Sequence, residues 1–487
     1  MPQSVSIVLV SNRGPVSYVE RDGGFGLKRG AGGLAGALDP VARRLGDDAL
    51  WIASATSDAD RAALEAGEVP RLRDELGYAV ELLDVDDATY DRYYNEVSNR
   101  MLWFANHCLF DEVGIDDFGD DAVAAWRDAY EPVNERFARA AAERSRPAQF
   151  VLFQDYHLAR APLHLRRIRP EQTSFHFTHS SFGGPDCLWR LPSSLPEDVV
   201  TGMLGADLLG FHVGAWARNF LACCERVGAR VDHERGRVEH DGRSTWVRTY
   251  PIPIDPKELR ARAGGDAARA WADRLELGDG VLVVRADRSE PAKNVVRGFE
   301  AFGALLDRRA DLRGHIRFAA CLYPSRSGME EYRRYAADVE AVVERVNGRH
   351  PGSVQLFFQD DFDRTVGALM VYDALLVNSI CDGMNLVSKE GPVVNRRDGV
   401  LVLSETAGSF EQLGEHAITI ADPYDVDATA DALERALELS ADERARRATA
   451  LRRAVEATTP DDWIEAQLDD LVALREHGEP SSAPPAP

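Results

Sequence analysis

The chain has 487 residues, 45% of them hydrophobic and 28% charged, a balance that fits a globular enzyme with two or three cores and excludes a fibrous or disordered chain. No stretch approaches the roughly 18 consecutive apolar residues that cross a bilayer. A formal charge of −23 sets long-range repulsion against nucleic acid and anionic membrane, so neither is expected as a partner. An anionic substrate would have to be met by locally concentrated cations. Of the 57 basic residues only four are lysines, and two of these, Lys293 and Lys389, fall in the motifs described below.

In chain order, Met1 to Val10 lacks a basic leader and a cleavage site and reads as a first strand, so the expected compartment is the cytoplasm. Further strands are expected at 49–54, 149–154, 173–177 and 207–211, with helices over 121–145 and 214–227 and a hairpin over 230–252. A second series follows at 281–286, 315–321, 354–358, 374–378, 399–404 and 417–420. This alternation predicts an α/β architecture of two Rossmann-like domains, 1–252 and 253–475, with the proline-rich segment TYPIPIDPKEL between them. The last helix is expected to pack back on the first domain, and the Pro/Ser/Ala-rich tail 476–487 to be disordered. The six cysteines form no CxxC pair and are expected to be thiols. Asp-x-Asp pairs such as Asp58 and Asp60 lie in polar helical or loop stretches and read as solvated surface. No metal and no cofactor are therefore expected.

Two segments carry phosphate chemistry. In VRADRSEPAKNVVRG, Arg288 and Lys293 stand five residues apart on an expected strand-to-helix loop. Two cations at a helix start can hold a diphosphate and stabilise it as a leaving group. In VNSICDGMNLVSKEG a buried strand ends, Asp382 and Gly383 turn the chain, and a helix begins near Asn385. The backbone N–H groups of Gly383, Met384, Asn385 and Leu386 are then aimed at an anion or at sugar hydroxyls. Asp382 can accept from a hexose, and Glu390, two helical turns on, from both hydroxyls of a ribose. Taken alone, each has a plain structural reading, such as a helix cap for Asp382.

Taken together, DGMNLVSKE, the R-x4-K pair, YPIPIDPKEL and ADPYD resemble the trehalose-6-phosphate synthase family, glycosyltransferase family 20, over residues 4–475. The resemblance implies a GT-B fold, two Rossmann-like domains facing a central cleft. It implies that Arg288 and Lys293 bind the donor diphosphate, Asp382 the donor sugar and Glu390 the ribose. VSNRGPV places Arg13 after the first strand, and RGAGGLAGAL places Gly32 and Gly33 at a helix start, where backbone can approach the donor closely. The family pattern DxYYNxxSNxxLW is matched by DRYYNEVSNRMLW, so Tyr94 and Trp103 are implied to line an acceptor sugar-phosphate site. Arg326, 33 residues after Lys293, is implied to grip the acceptor phosphate. Asp155 of QDYH orients the acceptor hydroxyl by the same resemblance, and His179 contacts the donor sugar. The base pocket is expected near Gln359 to Arg364.

The implied reaction is retaining, metal-independent transfer of glucose from a nucleotide diphosphate (GDP, UDP or ADP) to glucose 6-phosphate by front-face attack. Asp155, His179, Arg288 and Lys293 are its candidate catalytic residues, and a homo-oligomer is compatible with it. Two departures stand out. The family pattern H-x-P-[FW]-x-P is replaced by HSSFGGPDCLW, with Ser181 and Gly184 or Gly183 in place of prolines, which predicts a looser loop. Cys381 stands where an arginine is common. SNRGPV, WIASA, KNVVRG and GVLVLSETAG resemble actinobacterial-type members, some of which use GDP-glucose. A related pseudo-glycosyltransferase that joins cyclitols lacks the SNR arginine and the Tyr/Trp pair, both retained here. The alternatives are a relative with another donor or acceptor and a sugar-phosphate sensor without turnover.

Overall fold

A computed structural model describes residues 5–21, 24–29 and 33–485. The chain divides into two compact units, Met1–Ile252 with Asp461–Pro487 and Pro253–Pro460.

The first unit is built on a nine-stranded sheet. Its strands are β1 (Ile7–Val10), β4 (Ala49–Ser54), β5 (Ala79–Leu83), β6 (Phe150–Gln154), β7 (Ser174–Thr178), β8 (Leu208–Phe211), β9 (Arg230–Asp232), β10 (Arg237–His240) and β11 (Arg243–Thr249). A separate antiparallel hairpin pairs β2 (Val16–Arg21) with β3 (Gly24–Arg29). The sheet order is β5-β4-β1-β6-β7-β8-β11-β10-β9. Pairing is parallel from β5 to β11 and antiparallel beyond it. Strand β1 is buried along its whole length, which is why its sequence is continuously apolar rather than alternating. The strand order runs outward from β1 on one side and from β6 on the other. The crevice at the carboxyl ends of these two strands is where open α/β sheets bind ligands.

The second unit repeats this logic with six parallel strands: β12 (Val281–Ser289), β13 (Ile316–Pro324), β14 (Val354–Phe358), β15 (Ala374–Val377), β16 (Val400–Ser404) and β17 (Ile418–Ile420). Their order is β14-β13-β12-β15-β16-β17, with the switch point between β12 and β15. Apolar clusters cover both faces of this sheet, one including Leu282, Leu369, Leu401 and Leu451, the other Val283, Phe299, Phe318 and Leu433.

The structure departs from the sequence reading in several places. The β2–β3 hairpin and β5 were not expected. Strands β12 and β13 run nine residues each, pairing as far as Arg288↔Tyr323 and Ser289↔Pro324. Arg288 is therefore a strand residue, not a loop residue. The helical stretch after residue 119 contains a π segment, Trp126–Tyr130.

Asp60 is not solvated. It is buried and accepts from the backbone N–H groups of Tyr18 (2.7 Å), Thr56 (3.1 Å) and Ser57 (3.1 Å), whereas Asp58 stays exposed and pairs with Arg61. Two cysteines are not thiols: Cys108 and Cys187, 79 residues apart, form a disulfide with Cα atoms 5.2 Å apart. Sequence spacing could not show that proximity.

The helix Pro460–His477 belongs with the first unit. Trp463 Nε1 donates to the Tyr250 carbonyl (2.9 Å), and Tyr250 Oη donates to Asp470 (2.6 Å). The tail beyond it is held rather than disordered as far as Ser482, whose N–H donates to Asp470 Oδ1 (2.7 Å) and whose carbonyl accepts from Arg248 (3.1 Å).

Candidate active site

In the first unit, the chain leaves β1 through Ser11, whose hydroxyl accepts from Trp51 Nε1 (2.8 Å) and donates to the Arg13 carbonyl (2.6 Å). That turn sends Arg13 outward, where it donates to Tyr94 Oη (2.8 Å) with its guanidinium carbon 5.5 Å from the ring centre. Tyr94 lies on a π-helical segment, Arg92–Leu102, a geometry that is rare and recurs at functional sites. Its ring stacks between Tyr90 (5.6 Å, 12°) and His157 (5.7 Å, 11°). His157 stacks on Tyr156 (4.1 Å), and Tyr156 leans on Trp103 (5.7 Å). Trp103 is only 7% exposed and packs on His107 (3.9 Å). Tyr94 thus forms the accessible end of an aromatic wall and Trp103 its buried end.

Asp155, the residue just past β6, has φ +71° and ψ 169°, a conformation that costs a non-glycine residue about 1–3 kcal/mol. It is over-determined by its surroundings. Its N–H donates to the Phe177 carbonyl (2.6 Å), its own carbonyl accepts from His176 Nε2 (3.1 Å), and its carboxylate accepts from the His179 N–H (3.2 Å). His179 Nε2 donates to Gln154 Oε1 (2.9 Å), leaving Nδ1 as the acceptor. Burial, with His212 and His176 adjacent, holds the imidazole well below its usual pKa, so it is neutral.

The loop after His179 is not loose. Ser181 is fully buried and donates to the Asn106 carbonyl (2.9 Å), Asn219 donates to the Phe182 carbonyl (2.7 Å), and Cys187 is bonded to Cys108. A side chain at Gly183 would collide with the Ala105 carbonyl. Side-chain hydrogen bonds to backbone carbonyls, close packing and a disulfide fix this loop in place of prolines. Of the glycine pair, Gly33 opens the helix Gly33–Leu45, and Gly32 lies outside the described residues.

In the second unit, the carboxyl ends of β12 and β15 bring Arg288, Lys293 and Asp382 together. Lys293 closes the short turn Pro291–Lys293, ahead of the helix Val295–Arg308, and its ammonium pairs with Asp382 Oδ2. Desolvation opposes the lysine's charge, but Asp382, Glu290 and Asp287 more than offset it and hold its pKa above the usual value. Asp382 also accepts from Asn385 Nδ2 (3.0 Å) and Ser379 Oγ (3.3 Å).

Asn385 has φ +71°, and its side chain accepts from the Ser388 N–H (3.0 Å) at the start of the helix Val387–Val394. The segment after β16 frames this turn: the Asp382 N–H donates to Thr406 (3.2 Å) and the Ser409 N–H to Met384 (2.8 Å). Only glycine fits at 408, because a side chain would collide with Gly383. Glu390 is half-buried, and burial raises its carboxyl to about 7. Arg364 donates to the Gln359 carbonyl and is buried.

Sequence reasoning missed Glu290. Its carboxylate is fully buried, with Arg288 Nη2 2.9 Å from Oε1 and Arg326 Nη1 donating to Oε2 at 2.9 Å. A carboxylate between the two cations of the R-x4-K pair was the available signal. Gln154 and Gly408 were missed as well, since each acts through a partner distant in sequence.

Two Rossmann-type units, one with clustered cations and a carboxylate at its switch point and the other with an aromatic wall and a strained aspartate, are the architecture of a GT-B glycosyltransferase. The sequence profile of glycosyltransferase family 20 matches residues 5–473, and the chain belongs to that family. It is 34% identical to a trehalose-6-phosphate synthase of Mycolicibacterium smegmatis, over 97% of this chain and 93% of that protein. It is also 31% identical to a validamine 7-phosphate valienyltransferase of Streptomyces hygroscopicus, over 96% and 94%. Among solved structures, the α,α-trehalose 6-phosphate synthase of Burkholderia multivorans superposes with a TM-score of 0.84 at 27% identity, covering 98% of both chains.

Proposed function

We propose that this glycosyltransferase is an α,α-trehalose-6-phosphate synthase, transferring glucose from a nucleotide diphosphate glucose (GDP- or UDP-linked) to glucose 6-phosphate. The observation that carries the reading is the Arg13–Tyr94 contact on the aromatic wall, the feature that the cyclitol-coupling pattern lacks. Arg288 and Lys293 bind the departing diphosphate, and Asp382 binds the donor hexose with the turn Gly383–Leu386. His179, Gly32 and Gly33 also serve the donor sugar, and Glu390 its ribose. Arg13, Tyr94, Trp103 and Arg326 bind the acceptor, with Asp155 orienting its hydroxyl.

In front-face attack, the acceptor's anomeric hydroxyl forms the new C–O bond on the side from which the diphosphate leaves. Its proton passes to the departing phosphate oxygen. The protein contributes orientation and fixed positive charge where the leaving group's charge develops. With these cations in place the chemistry runs without a divalent metal. The proposed compartment is the cytoplasm, where nucleotide sugars and hexose phosphates are made.

A second reading, with another acceptor or donor such as a polyol or cyclitol phosphate, is favoured by Ser181 and Cys381 standing at departures from the family pattern. One experiment separates the two. UDP-, GDP- and ADP-glucose are tested against glucose 6-phosphate, free glucose and cyclitol phosphates, with and without EDTA, and products are read by mass spectrometry. The expected product is a disaccharide monophosphate, formed from glucose 6-phosphate only and equally in EDTA. Turnover of free glucose or a cyclitol phosphate at the same rate overturns the acceptor assignment.

A further inference from the structure

We propose that Glu290 is a positioning residue that holds Arg288 and Arg326 in register with each other, so that the donor-diphosphate and acceptor-phosphate cations are set by one shared carboxylate. The proposal rests on the reading of Arg288 as a donor residue and Arg326 as an acceptor residue.

The geometry starts from strand length. Strands β12 and β13 stay paired to Ser289↔Pro324, so the chain one residue past β12 and the chain two residues past β13 emerge side by side. Glu290 and Arg326 stand at those positions. Arg326 has φ +44°, a left-handed backbone that a non-glycine residue keeps only when its surroundings impose it. Two of the groups that fix its side chain are Glu290 Oε2 (2.9 Å) and Tyr332 Oη (2.8 Å). Glu290 Oε1 lies 2.9 Å from Arg288 Nη2.

The Glu290 carboxylate has no exposure to water, and the Arg326 side chain is 8% exposed. A carboxylate withdrawn from water depends on the cations held against it to offset the cost of burial. Each oxygen serves a different arginine, so neither cation can shift without leaving buried charge less well compensated. Between two guanidinium groups the carboxylate also cancels their mutual repulsion.

Two opposite effects follow from neutralising it. Removing a negative charge beside two phosphate sites strengthens their general attraction for anions. Releasing two guanidinium groups that repel each other spoils the directed contacts they make. Directed, charge-assisted hydrogen bonds are stronger than the diffuse field, so loss of position is expected to win.

The test is steady-state kinetics on the full-length enzyme with E290Q, E290D, R326A and the double variant E290Q/R326A. In E290Q the KM values for nucleotide sugar and for sugar phosphate both rise, each by about tenfold, with a smaller fall in kcat. E290D, which keeps the charge, recovers part of both. In R326A only the acceptor KM rises, and adding E290Q to it raises only the donor KM further. A folded E290Q enzyme with unchanged or lower KM values would make Glu290 a bystander counter-ion and overturn the proposal. A rise confined to one substrate overturns the shared role. If R326A leaves the acceptor KM unchanged, it is the acceptor reading that has failed, and the donor KM of E290Q still decides whether Glu290 holds Arg288. Should E290Q not fold, E290D against wild type makes the same comparison through the shortened reach of its carboxylate.

Discussion

Glu390 carries the residue-scale prediction about pH. Burial raises its carboxyl to about 7 and lowers the adjacent Lys389 to about 7, so both change charge across the neutral range. A ribose hydroxyl donates best to the ionised carboxylate. With Glu390 as the proposed ribose acceptor, nucleotide affinity is expected to weaken as pH falls from 8 to 6 and the carboxyl takes up its proton. Stability runs the other way at this group. Its folded pKa lies above the unfolded one, so its contribution is fully present below the unfolded value and is lost as pH rises through about 7. Calorimetric titration of a nucleoside diphosphate at several pH values checks the binding limb. E390Q is expected to flatten the dependence, and an unchanged slope in that variant removes Glu390 from the nucleotide site. Arg288, Lys293, Asp382 and Glu390 could be singled out as candidates because each sits in a contiguous motif, and the structure pairs Lys293 with Asp382. Glu290 was not, since what gives it a role is Arg326, 36 residues on. Asp60 was misread in part for the same reason: one of its partners, the Tyr18 N–H, lies 42 residues away, although Thr56 and Ser57 are local.

At the scale of elements, most of the parallel strands were legible in position, because a strand buried on both faces must be a continuous apolar run; β5, parallel to β4 but only partly buried, was not. Their ends were less so. Arg288 was placed on a loop because charged residues suggest exposure, yet β12 continues through it, paired to β13. The loop after His179 shows the same limit. Loss of two prolines predicted slackness, but Asn106, Asn219 and the Cys108–Cys187 bond supply the restraint from elsewhere in the chain. That bond closes a loop of 79 residues, and a disulfide of this kind contributes about 2–4 kcal/mol. Replacing both cysteines by serine is therefore expected to lower the urea midpoint of the first unit. Reductant should produce a similar loss in the wild type and no further loss in the variant. A wild type indifferent to reductant would show that the bond does not contribute to stability.

For the whole molecule, both units follow the same rule, an open sheet with a ligand crevice where the strand order reverses. The alternation of strands and helices revealed this, although sheet order itself depends on pairings that no local pattern encodes. The chain path has a temporal consequence. Because Asp461 to Ser482 completes the first unit, through Trp463 and Asp470 beneath Tyr250, a ribosome finishes the second unit before it can finish the first. Residues 253–460 enclose their own two apolar clusters and can close while the last helix is still being synthesised. Residues 1–252 must wait, with the side of the sheet that meets Trp463 uncovered. Expressed alone, 253–460 is expected to unfold cooperatively and to bind a nucleoside diphosphate, while 1–252 aggregates unless 461–485 is supplied as a separate peptide. A soluble, cooperatively folding 1–252 would show that the returning helix is dispensable. Nascent chains stalled near residue 460 should therefore be the stage at which this protein most needs a chaperone.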